Sequence, residues 1–85
     1  MFSVYILRGI KNHLYVGCTS DVTKRITRHI LGEGAEFTKR NKVFSLVYQE
    51  TYQTLLDARK RERQIKGWSR KKKENLIRLG KPILS

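Results

Sequence analysis

Eighty-five residues without a Pro/Gly/Ser-rich linker suit one domain, 1–85, with a single modest core. Hydrophobic residues at 39% argue against disorder, the lone Cys18 excludes an internal disulfide framework and a paired-cysteine zinc site, and no window approaches a leader or a membrane span. Nineteen Lys and Arg against seven Asp and Glu, a net charge of +12, call for a polyanionic partner, with nucleic acid ahead of an anionic membrane.

In chain order, FSVYILR (2–8) is β-branched and aromatic enough for a strand, GIKN offers Gly and Asn for a turn, and HLYVGCT reads as a second strand. Thr19 or Ser20 is the expected cap of the next helix, with Asp21 favourable at its positive end. Val22, Ile26 and Ile30 repeat at helical spacing, and Gly32 is the stop. Residues 32–42 read as a loop and VFSLVYQE as a third strand. A second helix runs from Gln53 or Thr54 to Lys66 and closes at Gly67. The third starts after Ser69 as N-cap and ends at Gly80, with Pro82 beyond. The order ββαβαα predicts a small α+β domain with an antiparallel sheet.

Several residues stand out of pattern. Glu62 falls in the stripe of Leu55, Ala58 and Ile65, inside an overwhelmingly basic segment. A carboxylate on that side needs a partner or a metal, and from pattern alone an ion pair with Arg59 or Lys66 is the simpler reading. Arg25 and His29, one turn apart, can reach one pocket at the edge of the first stripe, or can belong with Arg28 to an exposed basic face. Tyr5 and Tyr15 share a sheet face if the hairpin turn centres near Ile10, whereas a slip of one residue separates them. Ordinary aromatic packing explains such a pair equally well. Gly17 within a strand implies close approach of another group, or a bulge. Cys18 reads as a small filler, Trp68 as core, and Phe37 as core or a stacking platform. In SRKKKENLIRLGK, Leu76, Ile77 and Leu79 should anchor the helix while Arg70, Lys71, Lys72 and Lys73 project outward to phosphates.

Taken together, VYI at 4–6, YVG at 15–17, KRITRH, RERQIKGW and the trailing GWSRKKKENLI resemble the GIY-YIG nuclease family over residues 2–79. The likeness is to its small stand-alone branch, related to the nuclease domain of the bacterial excision-repair incision subunit. The resemblance implies a three-stranded antiparallel sheet flanked by three helices. It also implies hydrolysis of phosphodiester bonds in DNA (or RNA), in repair or recombination, with Mg²⁺ (or Mn²⁺). Tyr15 would then be the phenol that orients and deprotonates water, supported by Tyr5 and His29. Arg25 would hold the scissile phosphate, Glu62 would bind the metal, and Asn75 could support the site. Gly17 would leave room for the substrate backbone. Lys24, Arg28, Lys39, Arg40 and Lys66 would join the four cations of the last helix against nucleic acid. The chain departs from the family pattern at Val4, Phe37, Lys42 and Lys81. A repair-protein partner and a cytoplasmic setting complete the expectation. The alternative is a basic module that binds nucleic acid without cutting it.

Overall fold

The computed structural model describes residues 1–9, 11–25 and 44–80. Its elements are β1 (Phe2–Gly9), β2 (Leu14–Thr19), a helical stretch at 22–25 (α1), β3 (Phe44–Tyr52), α2 (Leu55–Lys66) and α3 (Arg70–Leu79). The order is ββαβαα, and the strands form one antiparallel sheet, β2-β1-β3. The loop read at 32–42 and the remainder of the first helix, with Arg28 and His29, lie outside the described residues, as do Phe37, Lys39, Arg40, Lys42, Lys81 and Pro82.

The hairpin closes through two backbone bonds of 2.9 Å: Gly9 N–H donates to the His13 carbonyl, and Asn12 N–H donates to the Gly9 carbonyl. Asn12 takes the left-handed conformation, φ 66°, that a three-residue hairpin loop needs after its turn. The pairing sets Tyr5 opposite Gly17 and Leu7 opposite Tyr15. The turn therefore centres one residue later than expected. Each partner moves by two positions, and the two tyrosines stay on one face as diagonal neighbours, with ring centroids 6.4 Å apart.

Tyr5 lies across its partner. A Cβ built on Gly17 would stand 2.5 Å from Tyr5 Cζ and inside the envelope of the phenolic oxygen. The close approach read at Gly17 is thus made by Tyr5, and only a residue without a side chain fits beneath the ring.

β1, the central strand, is buried on both faces. One face carries Val4 and Ile6, joined by Val16 of β2, and packs against Ala58, Ile65 and Leu76 of the helices. The other face buries Ser3, Tyr5 and Leu7. Helix ends follow local rules. Thr54 accepts from Asp57 N–H and Ser69 from Lys72 N–H, while Gly80 ends α3 at φ 75°. The first cap differs from expectation: Asp21 itself accepts from Lys24 N–H at 3.0 Å, while Thr19 Oγ1 accepts from Asp21 N–H. Leu55 and Leu79 also differ, at 42% and 48% exposed. Each sits at the end of a helix, where the stripe has already rotated off the sheet.

α3 is tied to the hairpin by charge. Arg8 donates to both oxygens of Glu74, at 2.5 and 2.9 Å, and to Asn12 Oδ1 at 2.6 Å; Arg70 adds a 3.0 Å bond to Glu74. The Arg8 bond above all holds the Glu74 carboxyl down at about 2, against the opposing effect of burial. Glu74→Gln should therefore cost about 1 kcal/mol at neutral pH, because partial exposure weakens the clasp. The folded carboxyl titrates below the unfolded one. Its contribution is full above about pH 4.5 and vanishes as pH falls towards 2. Urea midpoints of the two proteins should converge over that interval, and a gap that stays constant would exclude an electrostatic clasp. Gly17→Ala should cost about 1–3 kcal/mol through collision with Tyr5. A double-mutant cycle with Tyr5→Leu should recover most of the loss; simple additivity would mean the ring is not the obstacle.

Candidate active site

The site gathers at the outer strand. Because β2 is an edge, the Tyr5 phenol that crosses Gly17 points from the sheet centre towards groups approaching that edge. α1 begins where β2 ends, so Asp21 capping delivers Lys24 and Arg25 beside it. α2 packs on β1 and β2 through Ala58 and Ile65 and presents Glu62 between them along the helix.

Electrostatics show which groups influence one another. Burial raises the Tyr5 pKa far above the ordinary phenol range; the Tyr15 and Glu62 charges push it the same way, and Arg25 opposes them. Burial thus favours the neutral Tyr5 phenol, which can donate a hydrogen bond. Burial and then Glu62 also raise the Cys18 thiol, while Arg59 and Arg25 draw it down. Cys18 packs at the margin of the core, in keeping with a filler. The charges of Arg25 and Glu62, carried on different helices, both bear on Tyr5 and on Cys18, which lie on one stretch of the paired strands β1 and β2. Tyr15, half-buried, stands beside Tyr5.

Two recesses flank this stretch. One is lined by Thr19, Ser20, Asp21, Lys24 and Arg25. The other, of about 210 Å³, is lined by Arg59, Glu62, Arg63 and Lys66. Glu62 is only 16% exposed and pairs with Lys66 Nζ at 2.9 Å, one of the two ion pairs its spacing allowed. Among the described residues no three of His, Cys, Asp and Glu cluster as a metal cage. Among the described residues lining this recess Glu62 supplies the carboxylate, the kind of group a hydrated divalent ion takes, and it stands among three cations.

The basic run of α3 is less free than expected. Arg70 binds Glu74, and Lys72 lies over the Trp68 ring at 4.3 Å, while Lys71 is exposed and Lys73 half-buried. Asn75 accepts a 3.3 Å bond from Arg78.

One cluster escaped sequence reading. Glu50 of β3 accepts from the Tyr48 and Tyr52 hydroxyls and, at 2.6 Å, from Arg61 Nε; Arg61 also lies 5.0 Å over Trp68. Burial would raise the Glu50 carboxyl, but these three donors more than offset it and hold it below the usual range. The alternation of Tyr48, Glu50 and Tyr52 along VYQETY, which puts all three on one face, was the available signal.

Comparisons with known proteins show the family. The family profile described as the GIY-YIG catalytic domain matches residues 1–75. The UPF0213 proteins of Staphylococcus aureus strains Mu3 and Mu50 are each 44% identical over 75 residues, covering 88% of this chain and 92% of theirs. The solution NMR structure of the UPF0213 protein BH0048 from Bacillus halodurans is 38% identical. It superposes with a TM-score of 0.61 over 93% of this chain and 85% of that one. On its fold, its motifs and these matches, the chain belongs to the GIY-YIG nuclease family, in the small stand-alone group of UPF0213 proteins.

Proposed function

We propose that this chain is a divalent-metal-dependent endonuclease that hydrolyses phosphodiester bonds in DNA, acting as one domain in repair or recombination. The observation that carries the reading is the joint action of Arg25 and Glu62 on the Tyr5 hydroxyl, beside Tyr15 and across Gly17. A cation, a carboxylate and two phenols at one sheet edge are the groups that phosphoryl transfer needs: charge for the phosphate, a metal ligand, and hydroxyls to order water. The single half-buried Cys18 suits a reducing, cytoplasmic setting. Among the described residues no helix is long and apolar enough to cross a membrane.

In this mechanism Arg25 holds the scissile phosphate and offsets the charge that builds on its oxygens. Tyr15 orients the attacking water and, acting as a phenolate whose own proton has passed to solvent, receives the proton of that water. Tyr5, kept neutral by burial, donates to that hydrogen-bond network and fixes its orientation. His29 is assigned the same supporting role. Nucleases of this family generally use a divalent metal. Held by Glu62, Mg²⁺ or Mn²⁺ would supply Lewis-acid stabilisation of the leaving oxygen. Lys24, Lys71 and Lys73 contribute sequence-independent contact to the phosphate backbone.

The Lys66–Glu62 ion pair favours a second reading, a basic module that binds nucleic acid without cutting it. Plasmid and branched-DNA cleavage with Mg²⁺ separates the two. Wild type should nick, with Glu62→Ala and Arg25→Ala each lowering the rate by about 10²–10³-fold. Activity that survives both substitutions removes the mechanism, and salt-sensitive binding without any nicking establishes the binding module.

A further inference from the structure

We propose that Trp68 is a stacking platform for an unpaired nucleobase, uncovered when Lys72 leaves the ring for a backbone phosphate. The inference deepens the nucleic-acid reading by naming the part of the strand that is gripped. It rests on a nucleic-acid partner and needs neither a metal nor cleavage.

Trp68 stands between the Gly67 end of α2 and the Ser69 cap of α3. It packs against the core cluster but stays half-buried, so part of the indole is within reach from outside. Two cations lie over the ring, Arg61 at 5.0 Å and Lys72 at 4.3 Å from its centroid. They are held differently. Arg61 is tied to Glu50 at 2.6 Å and to Gln64 at 2.8 Å, and so steadies the indole. Lys72 reaches the ring on a flexible stem from the first turn of α3, where Arg70, Lys71 and Lys73 are also cationic and no acid stands. Glu74, one residue further on, is already engaged by Arg8 and Arg70. Like charges gathered at the positive end of a helix repel one another and the helix dipole, and an incoming polyanion relieves both. Magnitudes favour the exchange. A lysine over a partly exposed indole contributes about 0.5–1 kcal/mol. A nucleobase stacked on an aromatic ring contributes about 1–3 kcal/mol, and the released ammonium gains a phosphate. Bases inside a duplex already have their faces covered, so the platform selects an unpaired one.

The test is binding of a fluorescein-labelled thymidine oligonucleotide of about a dozen nucleotides, within the usual span of one single-strand site. Anisotropy reads it with the full chain in EDTA, so that no strand is cut. A tetrahydrofuran strand of the same length carries the same phosphates and no bases. Wild type should bind the thymidine strand at least about fivefold more tightly than the abasic one. Trp68→Leu should erase that preference and leave the abasic affinity unchanged, while Trp68→Phe keeps part of it. Lys72→Ala should weaken binding of the abasic strand and retain or enlarge the preference. Equal affinity of wild type for the two strands overturns the platform, as does an undiminished preference in Trp68→Leu. A Trp68→Leu loss that is equal on both strands overturns it too, because a ring that only supports the fold would behave so. A preference that disappears in Lys72→Ala overturns the exchange. Absence of binding to either strand overturns the platform and the nucleic-acid reading together, whereas a preference without nicking elsewhere upholds the platform and removes only the nuclease.

Discussion

α2 rests on the sheet through two fully buried side chains, Ala58 and Ile65, a narrow footing that leaves rotation about the helix axis weakly specified by apolar contact. Rotation is fixed instead by Arg61, whose Nε bonds Glu50 while its guanidinium lies over Trp68. Glu50 is held in turn by the hydroxyls of Tyr48 and Tyr52, so the anchor is rigid at the sheet end. Consecutive helical residues point about 100° apart. Once Arg61 is committed to β3, Glu62 must face the β2 side, where Arg25 and Tyr5 are found. Placement of the candidate site thus depends on an ion pair in which none of its own residues takes part.

The second dependence is steric. Tyr5 can reach the sheet edge only because its cross-strand partner has no side chain. The same burial that holds the ring in place keeps its hydroxyl neutral. This sets the two tyrosines apart physically. The central-strand phenol is locked and protonated, and the edge-strand phenol, half-buried, is the one left near solvent.

Features decided within a few residues were legible in the sequence. The Ser69 cap, the stop at Gly80 and the hairpin between β1 and β2 are local matters and follow from residue type, while the helix expected from Gln53 or Thr54 starts at Leu55 with Thr54 as its cap. The Asp21 cap was missed by a residue or two because Thr19, Ser20 and Asp21 are all competent caps, and only the strand end decides among them. Leu55 and Leu79 show a second limit: periodicity finds the stripe but not where the sheet beneath it stops. Glu62 could be seen as out of place, and its pairing with Lys66 was one of two options that helical spacing allows. The Arg8–Glu74 clasp joins residues 66 apart, and the Glu50–Arg61 pair joins a strand to the next helix. No local pattern announces either partner.

Trp68 is the chain's single tryptophan, and it lies between two cations from different helices, Arg61 of α2 at 5.0 Å and Lys72 of α3 at 4.3 Å. Its ring is therefore a built-in optical gauge of the junction between those helices. Indole emission responds to neighbouring charge, so any event that draws Lys72 towards a polyanion, or shifts Arg61 on its strand anchor, changes the light from one known place. The protein carries its own label at the joint where the helix bearing Glu62 meets the helix that opens on Arg70, Lys71, Lys72 and Lys73.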